Sequence, residues 1–365
     1  MNDSKVQPFQ IYCMLLVFLL GTSIIFGTPR LVPDTWIVDI ITLLFAALLF
    51  LIYTRFIGAG NNRGYYALLE RAWGRYLGKV LILGYVIYFI YIASRNVRDM
   101  IELVMTSLLR YTPEQLLVIL FIILVAYASA ANLAVLGRLS VLIAGLVVIF
   151  FLTLGILLIF SHSLEMERLL PMFTENIYQM TGTVLKNTLW FPYGELIVFL
   201  VFIPGLGSQR NFRTVGLTAL VSAGCILTLS DILQTTALGM ENIKFSSFPL
   251  LDAARMINIF NFITRMDALV ALIIIFGVLL KCSVFLVAAV RGTVYIFNSS
   301  VDRLLLPLAL LIGALALLVT HNSAEHLSEG LNVVIYWLHI PAQFAIPVLT
   351  LVLIRARHRK EHNDD

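Results

Sequence analysis

Charge is what this 365-residue chain has least of: Asp, Glu, Lys and Arg together make up 13% of it, against about 25% in an ordinary soluble domain. That is too little to cover a surface that meets water on every side. Cysteine is nearly absent as well. Cys13, Cys225 and Cys282 all fall within apolar blocks, which excludes a disulfide framework, and no Cys/His spacing suggests a metal site. Period-2 alternation is missing, so an outer-membrane barrel is excluded. There is no phosphate-binding glycine loop, no HExxH, no GxSxG and no long soluble segment to house such chemistry. No enzyme, cofactor or nucleic-acid partner is expected. The six histidines, at 162, 321, 326, 339, 358 and 362, do not fall at ligand spacing, and His321 and His326 read as solvated loop residues.

What is present is apolar surface. Residues AVILMFWYC make up 60% of the chain, and mean hydropathy is +0.94. The pattern predicts an all-α polytopic membrane protein with about ten spans, since crossing a bilayer takes roughly 20 apolar residues. The expected spans are 9–29, 35–56, 80–109, 115–134, 139–160, 186–206, 214–238, 267–297, 303–320 and 331–354. The first reads as a retained helix rather than a cleaved signal peptide. An even number of spans puts both termini on one side. Fifteen of the 25 Lys and Arg residues then fall on that side, seven on the other and three within the membrane. The positive-inside rule makes the termini cytoplasmic. The segment 65–79, YYALLERAWGRYLGK, mixes aromatic and basic residues at helical spacing and is expected along the inner membrane surface. The basic tail from Arg355 to Lys360 is expected to anchor the last helix.

Two spans carry matched interruptions. The first contains Gly21-Thr22-Ser23 and runs on to Gly27-Thr28-Pro29; the sixth contains Trp190-Phe191-Pro192-Tyr193-Gly194-Glu195. Gly and Pro weaken helices, so each segment can unwind within the membrane and present main-chain groups. Interruptions at corresponding places in two halves point to a transporter-type binding site. Candidate ligand-binding residues are therefore Gly21, Thr22, Ser23, Pro192, Tyr193, Gly194 and Glu195.

Charge inside the spans marks a second set. A carboxylate in hydrocarbon costs roughly 2.5–3.5 kcal/mol on insertion scales, so Glu195 needs a cation, a cavity or a proton. A ligand amino group or Lys281 in the eighth span is the candidate partner. The third span holds Arg95, Arg98, Asp99 and Glu102, with Arg95–Asp99 and Arg98–Glu102 at i,i+4 pairing distance. With Asp231 in the seventh span, these residues and Lys281 form a candidate coupling set or ion and water path.

Taken together, these landmarks resemble the B subunit of spore germinant receptors, the endospore germination permease family of the amino acid–polyamine–organocation superfamily. The resemblance covers nearly the whole chain. It rests on Thr28-Pro29-Arg30, Asp34-Thr35-Trp36, the Arg98–Glu102 pair before Tyr111-Thr112-Pro113, Phe191-Pro192-Tyr193-Gly194-Glu195 with Pro204 downstream, Arg265-Met266-Asp267-Ala268-Leu269, and Lys281. It implies a single transmembrane domain over 1–365 with a LeuT-like fold, two inverted five-helix repeats over 9–160 and 186–354 with broken helices 1 and 6. It also implies the inner membrane of a bacterial spore, a complex with A and C subunits, and recognition of a small nutrient germinant such as an amino acid. A proton-coupled amino acid or amine transporter is the alternative role. The chain departs from the superfamily at the first break, where Ser23 stands in place of the second Gly of Gly-x-Gly. It departs again at Thr264-Arg265, where Glu-Arg is common.

Overall fold

The computed structural model describes residues 6–26, 34–59, 63–170, 174–206, 208–257, 266–319 and 323–363. Every regular element among them is helical. The α-helices are α1 Pro8–Leu20, α2 Ser23–Phe26, α3 Thr35–Ala59, α4 Tyr65–Trp73, α5 Arg75–Ser107, α6 Glu114–Ala130, α7 Leu133–Phe160 and α8 Ile177–Thr183. They continue as α9 Gln209–Leu238, α10 Met240–Ile243, α11 Pro249–Arg255, α12 Met266–Phe297, α13 Val301–Leu318, α14 Ser323–Glu329 and α15 Ile346–Asn363. Between α8 and α9, the chain passes through a wide-turned piece, Val184–Thr188, and a tight 3₁₀ helix, Tyr193–Gly205. Between α14 and α15 it is wide-turned again, over Gly330–His339 and Pro341–Ala345.

Seven helical segments are long and apolar enough to cross a membrane: α3, α5, α7, α9, α12, α13 and Gly330–Arg357. An eighth is counted if Ile177–Thr188 and Tyr193–Gly205, bent by 45° at the Pro192 break, form one span. Two shorter apolar helices, α1 and α6, coincide with the remaining two expected spans. Starts are marked by local chemistry. Asn132 accepts a hydrogen bond from the Val135 amide at the head of α7, and Ser208 accepts one from the Asn211 amide at the head of α9. Each satisfies one of the amides left open by a helix start.

α12 is the most deeply buried of the long helices. It packs along α5 and also meets α1, α6, α7 and α13, so its residues between Gly277 and Val290 are surrounded by protein. The outward faces of α6, α7 and α13 carry exposed Leu and Ile, as lipid contact requires.

Two expectations need correction. The 65–79 segment is not one surface helix: it divides at Gly74 between α4 and the first turn of α5, where Tyr76 and Leu77 are exposed. α4 is driven into the protein, with Tyr65, Leu68 and Leu69 fully buried. The Tyr65 and Tyr85 hydroxyls lie 2.9 Å apart, the Tyr66 hydroxyl donates to the Ala288 carbonyl at 2.8 Å, and Trp73 Nε1 donates to Thr350 Oγ1 at 2.9 Å. Its apolar stripe found helices rather than lipid. The sixth segment also begins earlier than expected, because 177–188 is already helical.

Candidate functional site

The first interruption falls between Leu20 and Ser23, where α1 stops and α2 begins. It lies against α12. A Cβ on Gly277 would meet Gly21 Cα at 3.3 Å, and a Cβ on Gly21 would meet Lys281 Cδ at 3.0 Å. Two facing glycines thus bring main chain to main chain. Lys281, one turn beyond Gly277 on the same helix face, reaches the break.

The second interruption supplies the counter-charge. Lys281 Nζ lies 2.7 Å from Glu195 Oε2, with the two side chains 0% and 2% exposed. Lys281 Nζ also donates to Thr22 Oγ1 at 3.4 Å, Thr22 Oγ1 donates to Asn96 Oδ1 at 2.9 Å, and Asn96 Nδ2 donates to the Ile92 carbonyl at 2.7 Å. The ammonium lies 5.4 Å from the Phe18 ring centroid and 4.7 Å from that of Phe191, both within reach of a cation–π attraction. Glu195, Lys281, Thr22 and Asn96 therefore join four segments at one dry point. Removing either charge strands the other, which costs about 3–5 kcal/mol in a buried pair.

The remaining candidates of the second interruption are buried beside Glu195 in the chain. Pro192 and Tyr193 are buried, and the Phe191–Pro192 bond is cis. Gly194 is closely covered by the Gln343 side chain, so any side chain there would collide with it. The Tyr53 hydroxyl reaches the Gly194 carbonyl at 3.1 Å and the Gln343 carbonyl at 2.7 Å. Gln343 Nε2 reaches the Tyr88 hydroxyl and His339 Nδ1, each at 2.8 Å. Ser23 Oγ and Gln343 Oε1 are buried and meet no hydrogen-bond partner among the described residues. A buried polar atom left so costs roughly 1–3 kcal/mol. Beside Gly21, a cavity lined by Val17, Leu20, Ile24, Phe150, Ile274 and Gly277 leaves about 10 Å³ for the centre of a water molecule.

The stripe on α5 pairs differently from expectation. Arg98 does reach Glu102, at 3.7 Å, and Glu114 at 3.3 Å. Arg95 and Asp99, however, do not close on each other. Arg95 turns to Glu329 at 3.1 Å and donates to the His326 carbonyl at 2.5 Å, while Asp99 takes His326 Nε2 at 2.7 Å. α14 lies close enough to α5 that partners from across the interface win over i,i+4 neighbours. His326 is accordingly buried, which corrects its expected place in a solvated loop; His321 lies outside the described residues. Asp231 is buried on α9. The residues missed from sequence are Asn96, His326, Glu329, His339 and Gln343. Asn96, His339 and Gln343 were visible as polar residues inside apolar spans.

Residues 5–326 match the profile of the family described as spore germination protein. The chain belongs to that family. It is 28% identical to spore germination protein KB of Bacillus subtilis (strain 168) over 364 residues, 99% of this chain and 98% of that one. It is 23% identical to spore germination protein YndE of the same organism over 370 residues, 98% of each. This is a germination-related membrane protein with several apolar membrane-length helices. Of the family landmarks, Asp34 accepts from the Thr174 amide at 2.6 Å and its hydroxyl at 2.8 Å, tying the head of α3 to the loop before α8. Asp267 takes Arg255 Nε at 3.5 Å and ties α12 to α11. Thr28-Pro29-Arg30 and Thr264-Arg265 lie outside the described residues.

Proposed function

We propose that the chain is the germinant-sensing B subunit of a spore germination receptor, and that it binds a zwitterionic amino acid where the two interruptions meet. The observation that carries this reading is that Gly21 and Thr22 of the first interruption and Glu195 of the second meet at the buried Lys281. The pair is itself an internal zwitterion. A ligand ammonium can take Glu195 while its carboxylate takes Lys281, and each buried charge keeps a partner throughout. A simple amine or a simple acid satisfies one charge and strands the other, at the cost given above. Ser23 Oγ and Gln343 Oε1 supply further hydrogen-bonding positions, and the apolar lining beside Gly21 suits a small aliphatic side chain.

The ligand does not fit the closed site, so binding requires the segments to part. Differential affinity for the parted state is what lets a ligand bias a conformational equilibrium, and contacts with A and C subunits carry that bias outward. The rest of the reading follows the family: ten spans including α1, α6 and the bent sixth segment, arranged as inverted repeats over 9–160 and 186–354, in the inner membrane of the spore with both termini cytoplasmic. The α5 residues Arg95, Arg98, Asp99 and Glu102, with Asp231 and Lys281, form the coupling or ion and water path.

The test is thermal unfolding of the purified protein with an amino acid panel, each member matched by its decarboxylated amine and its deaminated acid. A ligand of the folded state raises the melting temperature. The reading expects a rise with a zwitterion and none with its two single-charge analogues; an equal rise with the amine alone defeats the charge exchange. A second reading, a proton-coupled transporter, draws support from the acid–base pair itself, whose members can trade a proton. Uptake into vesicles driven by a proton gradient would favour it.

A further inference from the structure

A second cavity, of about 960 Å³, lies between the ends of α3, α4, α9 and α15. It is lined by Arg55, Gly58 and Ala59 from α3, Arg71 from α4, Gln209 from α9, and a run of α15 from Leu351 to Ala356 that includes Arg355. None of these residues belongs to either interruption, so the cavity is separate from the central site. Its composition is two-sided. Three guanidinium groups line it, those of Arg55 and Arg355 and that of Arg71, which has a partner of its own. Leu351, Val352 and Ile354 line it from α15, with Val352 facing outward.

The geometry points to a binding site for the phosphate headgroup of an anionic phospholipid. Three arguments converge on that chemistry. All three cations are arginine, whose planar fork meets phosphate through paired hydrogen bonds and is less strongly hydrated than an ammonium. Arg55 and Arg355 sit at the ends of membrane-length apolar helices, the level at which headgroups lie. The apolar wall continues from the arginines along α15 toward the membrane, which suits an acyl chain and not a freely soluble anion. Basic pockets between helix ends are a known form of lipid headgroup recognition.

The experiment uses the full-length protein, purified in a zwitterionic detergent and stripped of lipid. Phosphatidylglycerol, phosphatidylcholine or inorganic phosphate is then added. Lipid retained through detergent exchange is counted by native mass spectrometry, and the melting temperature is followed alongside. The wild type is expected to keep phosphatidylglycerol, to lose phosphatidylcholine, and to gain no melting temperature from inorganic phosphate at equal concentration. The double variant Arg55→Gln/Arg355→Gln is expected to lower phosphatidylglycerol retention at least tenfold, with an unchanged lipid-free melting temperature. The exposed Arg303→Gln is expected to leave retention as it was. If the double variant does not fold, Arg355→Gln alone, at an exposed position of α15, is expected to lower retention severalfold. Equal retention of the two lipids, equal retention by the variants, or a melting-temperature rise with inorganic phosphate that matches the lipid overturns the assignment.

Discussion

Two of the charge clusters within the described helices are built on different terms. At the centre, Glu195 and Lys281 form one pair with side chains 2% and 0% exposed. On the outer part of α5, Arg95, Arg98 and Asp99 share Glu329, Glu102, Glu114 and His326, and the outer carboxylates Glu329 and Glu114 are each 32% exposed. Each member of the central pair has one charged partner, and both side chains are out of reach of solvent. The α5 cluster has several partners per cation and an open edge. The first is an all-or-none arrangement, whereas the second degrades by steps. Exchange of an internal partner for a ligand, as proposed, suits the first; a path with access to water, as proposed, suits the second.

The sharpest break of this contrast is at the centre. Lys281→Met or Glu195→Leu alone is expected to lower stability by about 3–5 kcal/mol, while the double variant recovers most of that loss, as thermal unfolding of purified protein will show. Amino acid stabilisation should be absent in all three. Should the singles and the double cost the same, the pair is not the coupled unit described. Next in size is Gly194→Ala, whose methyl group would collide with Gln343. Forcing an extra carbon into a packed core costs roughly 1–3 kcal/mol, and Gly194→Ala/Gln343→Ala should relieve it. Arg95→Gln should cost less, about 1 kcal/mol, because Glu329 retains access to water. The smallest effect is expected from Glu114→Gln, within about 0.5 kcal/mol, and from added salt, which screens exposed pairs. If 1 M salt were to weaken the wild type more than Lys281→Met does, the exposed pairs and not the buried one would dominate stability.

Much of this was legible in the sequence because it was written in composition. Apolar runs marked the long helices, and Gly21 and Pro192 marked the two breaks, since helix-weakening residues act locally. Lys281 could be named as a partner for Glu195 because few charges lie deep in the spans. The α5 pairings were not legible. Spacing alone joins Arg95 to Asp99, and only the approach of α14 reveals Glu329 and His326 as better placed. The burial of α4 escaped for a similar reason: an amphipathic stripe declares that it needs an apolar neighbour, not whether that neighbour is lipid or protein. Gln343 was visible as a polar residue in an apolar span, yet its contact with Gly194 depends on how the wide-turned Pro341–Ala345 piece packs against the sixth segment.

Tyr53 gives that contact a mechanical meaning. Its hydroxyl carries one proton, and it faces two carbonyls, that of Gly194 at 3.1 Å and that of Gln343 at 2.7 Å. Either oxygen can receive the proton, so one can withdraw while the donor stays satisfied by the other. The joint between the sixth segment and the last span thus has the geometry of a slip coupling: either contact can be lost without leaving the Tyr53 donor stranded.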